Sequence, residues 1–283
     1  MSVKSTRQIT NAMKMVSAAK LRKAQDAIIQ IRPYTNKLKG ILKDLDPELE
    51  SIKKNIYSRE TEPQRVLLVV ISSNRGLCGT FNSNVIKKTM QVADEKYKLQ
   101  NEKGNLDIIA IGKKGKDFLK LKKYNITESY TDIFEMLNFK NTLPIVIKIM
   151  DDFVSRKYDI VELIYNQFRN AAVQVLVEEQ FLPMIHKQKV EDRFEERAYY
   201  IYEPAKEDII ADLVPKSLQM QFYKVLLDSC ASEHGARMTA MHKATDNATD
   251  LIRELQLQYN KARQASITKE ILEIVGGAEA LNE

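Results

Sequence analysis

Two glycine-containing loops that follow apolar runs are candidates for phosphate binding. SSNRGLCGTFN (residues 72–82) follows an apolar run, and IGKKGKD (residues 111–117) follows another. Phosphate-binding loops use GxGxxG or GxxxxGK[ST], in which backbone N–H groups surround the anion. Neither loop has either pattern, so we expect Gly76 and Gly79 to shape a turn. A nucleotide-dependent enzyme remains an alternative, and micromolar nucleotide binding by the isolated chain would favour it.

The other reactive side chains do not form a recognisable catalytic or metal set. The three histidines are His186, His234 and His242, and the last two lie eight residues apart, too far for one helical metal site. Cys78 beside Arg75 could be an activated thiol, but a packed, reduced cysteine is the favoured interpretation for it and for Cys230. We therefore predict no catalytic residue, no cofactor-binding residue and no metal ligand.

Positive charge is concentrated at the N-terminus. Residues 1–32 carry seven basic residues and the single acid Asp26, and the formal net charge of the whole chain is +6. This concentration predicts an acidic partner for the segment. A nucleic-acid binder is an alternative, disfavoured because no aromatic residue precedes Tyr34, and strongly salt-dependent DNA retention would support it. The sequence shows no 18-residue apolar run and no secretory signal.

Both ends of the chain have helical periodicity. Residues 2–32 predict one amphipathic helix whose apolar positions recur every three to five residues. Those positions are Ile9, Ala12, Met13, Val16, Ala19, Ala24 and Ile28. Pro33 is expected to kink or interrupt this helix, with the pattern resuming near Leu38 and running toward Ile56. A second helical stretch runs from Lys206 to the end, with Pro215 near a helix start and Gly235 as an interruption.

The middle of the chain alternates strands and helices. Strands are predicted at 65–71, 106–112, 158–166, 171–183 and 198–204, and helices at 80–99, 113–121 and 144–155. This alternation predicts an α/β layer with a mostly parallel sheet, in which 158–166 and 171–183 are antiparallel. We expect three segments, an N-terminal helical one (1–60), an α/β one (61–205) and a C-terminal helical one (206–283).

The C-terminal helix carries a heptad pattern of about six repeats, typical of a coiled coil. Its two sets of seam positions are Leu227, His234, Met241, Ala248, Leu255 and Ala262, and Ala231, Met238, Thr245, Ile252, Tyr259 and Ser266. Half of these residues are Ala, Ser, Thr or His, so two helices could approach closely. We predict that the terminal helices form a long antiparallel two-helix coiled coil with the α/β segment inserted between them. A pair of this length needs a surrounding partner to cover its faces.

Several stretches resemble the gamma subunits of F-type ATP synthases. ITKEILEIVGGAEA (267–280) is similar to the family's C-terminal signature, with Thr268, Glu270, Gly277 and Ala278 among the matching positions. QITNAMKMVSAAKLRKAQ (8–25), RGLCGTFN, YIYEP and LQYNKARQAS resemble further family segments in the same order. The resemblance covers essentially the whole chain.

The resemblance implies a central rotor shaft with no catalytic activity of its own. The family's terminal helices form a coiled coil inside a ring of three alpha and three beta subunits, and its Rossmann-like foot joins the epsilon subunit and the membrane c-ring. Proton flow turns the c-ring and the shaft, whose asymmetry changes the nucleotide state of each beta subunit and regulates ATPase activity. The expected location is the cytoplasmic face of a bacterial inner membrane, peripheral, through the complex.

The resemblance also implies roles for particular residues. Contacts with the catalytic ring and coupling are implied for Met13, Lys14, Lys20, Arg22, Lys23, Arg237, Met241, Arg263, Gln264, Thr268, Glu270 and Gly277. The position of Met13 is expected to pack near Arg237, Gln264, Thr268 and Glu270. Foot contacts to epsilon and the c-ring are implied for Tyr200, Tyr202 and Glu203. The pair Gly276 and Gly277 is expected to let a surrounding wall approach closely.

Two positions depart from the family's pattern. Met1 stands where the family usually has a further short basic stretch, so that stretch is expected to be missing here. Ala236 stands where an acid often precedes the arginine, so the charge partner of Arg237 is expected to differ.

Overall fold

The computed structural model describes residues 2–45, 56–59, 61–184, 203 and 205–280. Two long helices enclose, in sequence, a five-stranded sheet with shorter helices. The helices are α1 (Ser2–Leu45), α2 (Phe81–Gln91), α3 (Lys98–Glu102), α4 (Lys113–Leu121), α5 (Phe139–Val154) and α6 (Lys206–Ala280). The strands are β1 (Val66–Ile71), β2 (Leu106–Ile111), β3 (Ile126–Tyr130), β4 (Ile160–Phe168) and β5 (Gln174–Leu182).

The strands form one sheet in the order β3-β2-β1-β4-β5. Among the strands of the described ranges, the pairs β1–β2, β1–β4 and β2–β3 are parallel, and only β4–β5 is antiparallel. Every residue of β1 is buried, as a central strand covered on both faces requires. The predicted mostly parallel sheet is therefore confirmed. Strand β3 was not predicted because ITESY is short and largely polar, and the predicted strand at 198–204 lies almost wholly outside the described residues.

The helix boundaries correct two predictions. The helix expected at 80–99 is divided, because a π-helical turn at Val92–Lys96 separates α2 from α3. The helix expected to start at Pro144 instead starts at Phe139, because the side chain of Asn138 accepts a hydrogen bond of 2.8 Å from the Asn141 N–H. An asparagine cap of this kind fixes the start of a helix, and Pro144 lies within it.

The long helices continue through the residues expected to interrupt them. Pro33 lies inside α1, which runs unbroken to Leu45, and the buried Thr35 and Leu38 follow it on the packed face. Pro215 lies well inside α6 rather than at its start, and α6 also continues through Gly235. A proline lacks the N–H for a helical hydrogen bond, and a glycine has low helix propensity. Buried side chains on the helix beyond Pro33, Pro215 and Gly235 offset these costs.

Each face of the sheet has its own hydrophobic core. On one face, side chains of α5 and α6 such as Phe153 and Phe222 pack with β4 and β5. On the other face, side chains of α2 and α4 such as Val85 and Leu119 pack on β1 and β2. The strands are thus fixed against α6, and α4 lies on the side of the sheet away from it. No helix in the described ranges is both long and apolar enough to cross a membrane.

Candidate functional site

The two long helices pack side by side in opposite directions. Leu21, Ala24 and Ile28 of α1 are buried with Leu227 and Ala231 of α6. Farther along, the Thr245 hydroxyl donates a hydrogen bond of 2.9 Å to the Thr10 hydroxyl. Residues nearer the N-terminus of α1 therefore contact residues nearer the C-terminus of α6. This confirms the predicted antiparallel pair. We call this part of the molecule the two-helix region.

The packed face of α1 differs from the predicted apolar face. Within residues 2–32, the segment of that prediction, the buried residues are Thr10, Ser17, Leu21, Ala24 and Ile28, spaced by three, four or seven. Ile9 and Val16 were assigned to the packed face but are exposed by 60% and 56%, so that part of the prediction is wrong. The apolar pattern gave the wrong face because small polar residues, Thr10 and Ser17, occupy part of the contact between the helices. Small side chains allow the two helices to approach closely. The apolar side chains of Ile9 and Val16 instead lie on a second, outward face.

The basic residues of α1 lie outside this contact. Lys20, Arg22 and Lys23 are exposed, while Met13 and Lys14 are half-buried. Among the described residues, no carboxylate lies within salt-bridge distance of these four basic side chains. The two-helix region thus presents positive charge without salt-bridge partners in the described chain, next to exposed apolar side chains.

The predicted heptad seam is buried over only part of its length. Met241 and Ala248 are buried, and Thr245 and Ile252 are half-buried. Beyond them the seam positions are exposed, including Leu255 at 44% and Tyr259 at 68%. The Thr10–Thr245 register places Ser2 beside about residue 253, since both helices rise about 1.5 Å per residue. The structure therefore supports a shorter seam than the six heptads predicted.

The last part of α6 has no packing partner in the described chain. Residues 254–280, which we call the free end, extend roughly 40 Å at helical rise. Its exposed apolar side chains include Leu257, Ile267, Ile271, Leu272, Ile274 and Val275. An apolar surface of this extent marks a contact site, because isolated soluble chains rarely expose one.

Five predicted site residues, the four named next and Gly277, lie on the free end, and all five are exposed. Arg263, Gln264, Thr268 and Glu270 are exposed, and the Thr268 hydroxyl donates to the Gln264 carbonyl on its own helix. The expected packing of Met13 near Gln264, Thr268 and Glu270 is wrong for this structure, because the register places these positions beyond the N-terminus of α1. A Cβ added at Gly277 would have no heavy atom within 4 Å.

Arg237 joins α6 to the loop after β1. Its guanidinium donates to the Arg75 carbonyl at 3.0 Å and to the Gly76 carbonyl at 3.4 Å. It also pairs with Glu233 one turn earlier on α6, at 2.6 Å. Both side chains are buried, so Arg237 is directed to the sheet and not to Met13, and Glu233 is the charge partner that Ala236 could not supply. The Glu-x-x-x-Arg spacing in the sequence was an available signal for this pair.

A close backbone contact reinforces this junction. A Cβ at Gly235 would lie 3.2 Å from the carbonyl oxygen of Ala171, in the turn after β4. The Thr239 hydroxyl donates to that same oxygen at 3.1 Å. Gly235, Arg237 and Thr239 together hold α6 against the carboxyl ends of β1 and β4. Sequence reasoning had assigned Gly235 only as an interruption.

The pKa values of groups near the junction follow from burial. Burial, together with the positive charges of Arg237 and Lys20, lowers the pKa of His234 to about 4, so its imidazole is neutral at pH 7. Burial raises the pKa of the Cys78 thiol, against the hydrogen bond from Ser73 and the charge of Arg237. Burial also raises the pKa of Cys230 to about 12. A raised pKa favours the protonated thiol, and Cys78 is also buried, so the structure favours a packed cysteine over a reactive one at this position.

The two glycine loops contact each other instead of forming a phosphate site. The N–H groups at the start of α4 are satisfied by the loop after β1, through Lys113 to the Asn74 side chain and Gly115 to the Ser72 hydroxyl at 2.8 Å. The Lys114 N–H donates to the Ser73 carbonyl. A phosphate at a helix N-terminus needs these same donors to be free. This geometry does not favour the nucleotide-enzyme alternative.

The predicted foot residues are only partly described. Tyr200 and Tyr202 lie outside the described residues, and Glu203 is exposed. Within the described chain, no group of three or more histidine, cysteine, aspartate or glutamate side chains could hold a metal ion. The candidate functional features of the described chain are the surfaces of two helices and their junction with a sheet.

Comparison with known proteins shows which family this chain is similar to. A family described as ATP synthase matches residues 1–281. The gamma chain of the ATP synthase of Christiangramia forsetii is 54% identical over 281 residues, covering 99% of this chain and 96% of the relative. That of Flavobacterium johnsoniae is 55% identical over 282 residues with the same coverage.

The chain belongs to the ATP synthase gamma family. It is a non-catalytic gamma subunit of the central stalk. The central stalk of the Tetrahymena thermophila mitochondrial ATP synthase is a structural relative at 27% identity, with a TM-score of 0.64 over 84% of this chain and 99% of that one. A Euglena gracilis mitochondrial ATP synthase chain, at 22% identity and a TM-score of 0.68 over 99% of this chain, shows the same fold. The exposed end and the basic helix thus belong to a rotor subunit of a larger complex.

Proposed function

We propose that this gamma subunit couples proton flow through a membrane c-ring to ATP synthesis by rotating inside a ring of three alpha and three beta subunits. The observation that carries the proposal is the free end of α6. A single helix with exposed Leu257, Ile271 and Ile274 has no partner in the described chain, so an apolar sleeve around it would remove this surface from water.

The two-helix region supplies an asymmetric surface for coupling. One side carries Lys20, Arg22 and Lys23, and exposed apolar residues such as Ile9 and Val16 lie nearby on the same helix. Rotation would present this basic and apolar face of α1, and then the surface of α6, to each beta subunit in turn. A conformational equilibrium shifts only when a partner contacts its states unequally, and this asymmetry supplies the difference. In this role the chain also regulates ATP hydrolysis and proton flow.

The junction at Arg237 would transmit torque between the sheet and the shaft. Its bonds to the Arg75 and Gly76 carbonyls, with the close contact at Gly235, fix the α/β region to α6 at a level below the free end. We assign the α/β region as the foot that contacts the epsilon subunit and the c-ring, with Tyr200, Tyr202 and Glu203 at those contacts. The chain would then be peripheral, at the cytoplasmic face of the bacterial inner membrane.

Reconstitution tests this proposal. The chain is mixed with matching alpha and beta subunits and then joined to epsilon and the c-ring in vesicles. We expect a 3:3:1 complex that hydrolyses ATP and pumps protons. Replacing Lys20, Arg22 and Lys23 with Ala should lower the protons pumped per ATP hydrolysed while the chain stays folded and assembled.

A matched control removes three exposed cations elsewhere. Lys103, Lys140 and Arg156 lie on the α/β region and are exposed, and replacing them with Ala removes the same charge. Pumping per ATP should match the wild type in this control. Equal pumping by both triple variants would contradict the role of the basic face, and failure of folded subunits to assemble would contradict the proposal as a whole.

A further inference from the structure

The segment around α4 is a second, separate region of concentrated positive charge. Residues 113–123 contain six lysines and one acid, Asp117. The lysines are Lys113, Lys114, Lys116, Lys120, Lys122 and Lys123. Five of them are exposed and Lys116 is half-buried. We call this region the α4 surface.

The fold directs the α4 surface away from the rest of the chain. Gly115 and Leu119 are buried against the sheet, on the face opposite α6. The other side of the helix therefore points outward. It exposes Leu121 by 77% and Phe118 by 40%, among the lysines. The surface combines cations with two large apolar side chains at helical spacing.

Internal stability does not account for these lysines. Across the described ranges, none of the six is within salt-bridge distance of a carboxylate. Lysines at a helix C-terminus complement the helix dipole, and Lys120 fits that role. Lys113 and Lys114 are at the N-terminus, where positive charge opposes the dipole. Their position is unfavourable for the isolated helix and needs a reason outside it.

We propose that the α4 surface docks an acidic segment of a partner protein, whose apolar residues seat against Phe118 and Leu121. The lysines supply charge complementarity, and the two apolar side chains supply buried contact area. The negative charge of Asp117 makes a protein a better partner for this surface than a membrane or a nucleic acid, both of which present many phosphate groups. It lies one helical turn before Leu121 on the outward side and would repel a layer of lipid headgroups or a nucleic-acid backbone, whereas a protein can offer it a donor.

This surface is distinct from the basic face of α1 and goes beyond rotation inside the catalytic ring. It rests on the proposed function only in that the partner is sought in the assembled complex. Assembly is verified first by subunit stoichiometry and ATP hydrolysis. Failure to assemble counts against the proposed function, whereas the cross-linking result within an assembled complex decides the docking inference alone.

Site-directed photo-cross-linking tests the inference. A benzoyl-phenylalanine is placed at position 121 of the full chain, and the complex, in vesicles of phosphatidylglycerol and phosphatidylcholine, is illuminated and analysed by mass spectrometry. We expect a cross-link to an acid-rich peptide of another subunit or bound protein. Reversing two charges with Lys113→Glu and Lys120→Glu should reduce its yield by about tenfold, because like charges then face each other.

The control is Lys103→Glu with Lys140→Glu, which changes the net charge equally at exposed sites off the α4 surface. It should leave the cross-link unchanged. A cross-link to lipid, to nucleic acid or to a peptide without excess acidic residues would overturn the inference. Absence of any cross-link, or equal loss in both double variants, would overturn it too.

Discussion

Thr10 of α1 and Thr245 of α6 share a hydrogen bond of 2.9 Å between their side-chain hydroxyls, and they belong to opposite ends of the chain. The Thr245 hydroxyl also lies 2.8 Å from the Met241 carbonyl of its own helix. The contact sets the register of the two-helix region, and it determines where α1 stops covering α6. From residue 253 to residue 275, every position of α6 is exposed.

Removing this contact should loosen the register. Replacing Thr10 and Thr245 with Val singly and together, and measuring chemical unfolding, should give a coupling energy of about 0.5–1.5 kcal/mol for the pair. The matched control pairs Thr10→Val with Thr249→Val, since Thr249 is exposed and its hydroxyl donates to a backbone carbonyl of its own helix. Additive effects in the Thr10 and Thr245 cycle would contradict a contribution of this bond to the register.

Breaking the Arg237 junction should be more damaging. Arg237→Met leaves the buried Glu233 carboxylate and the Arg75 and Gly76 carbonyls without their donor, and should lower the free energy of unfolding by about 3–5 kcal/mol. Arg253→Met, at an exposed position of the same helix, should change it by less than about 0.5 kcal/mol. Adding Glu233→Leu to Arg237→Met should restore part of the loss, and no restoration would contradict the pairing.

The contact at Gly235 should tolerate no large side chain. Gly235→Val would place atoms against the Ala171 backbone and the Phe168 ring, so we expect destabilisation of about 1–3 kcal/mol by chemical unfolding. Gly277→Val meets nothing in the isolated chain and should be neutral or slightly stabilising there. The two substitutions should differ again in the complex, where Gly277→Val should lower the ATP hydrolysis rate if a wall surrounds the free end. An unaffected rate would contradict that close approach.

The contact between Gly235 and Ala171 illustrates which features of the fold the sequence could predict and which it could not. Helical periodicity and apolar runs predicted the two long helices and the mostly parallel sheet, because those signals are local. The packed face of α1 was mispredicted, since Thr10 and Ser17 form a seam from which the larger Ile9 and Val16 are excluded. The close approach of Gly235 to Ala171, and of Arg237 to Arg75, depends on residues far apart in sequence that only the fold brings together.

The candidate functional surfaces were also predictable only in part from the sequence. The charge on α1 and the α4 lysines are visible in composition, but only the fold shows which are exposed and unpaired. The extent of the free end follows from the Thr10–Thr245 register, which no heptad count gives. The roles of the foot residues and the division at 60 and 205 stay predictions.

Asp228 should make stability depend on pH. Burial raises its pKa to about 6, against the charges of Lys224 on the same helix and Arg32 of α1, and in the same direction as Glu179 of β5. The folded state then binds this proton at a higher pH than the unfolded state, so this carboxyl contributes stability that is present below about pH 4 and lost as pH rises through about 6. Asp228→Asn should stabilise the chain at pH 7 by about 1–3 kcal/mol and by little near pH 4.

The comparison must be made against the wild type at each pH, because His234 acts oppositely. Its pKa is lowered to about 4, so the unfolded state binds its proton first and stability falls as pH drops from about 6.5 toward 4. Thermal unfolding of Asp228→Asn and of the exposed control Asp250→Asn at several pH values isolates the carboxyl. A difference from wild type that does not vary with pH would contradict the raised pKa.

The central claim is that this chain turns inside the catalytic ring, and single-molecule rotation tests it most directly. The assembled alpha, beta and gamma complex is fixed to a surface through the beta subunits, and a gold bead is attached through Lys103→Cys, an exposed position on the α/β region. With ATP the bead should rotate in one direction, with one step for each of the three beta subunits. A complex that hydrolyses ATP at the same rate while the bead stays stationary would contradict the account.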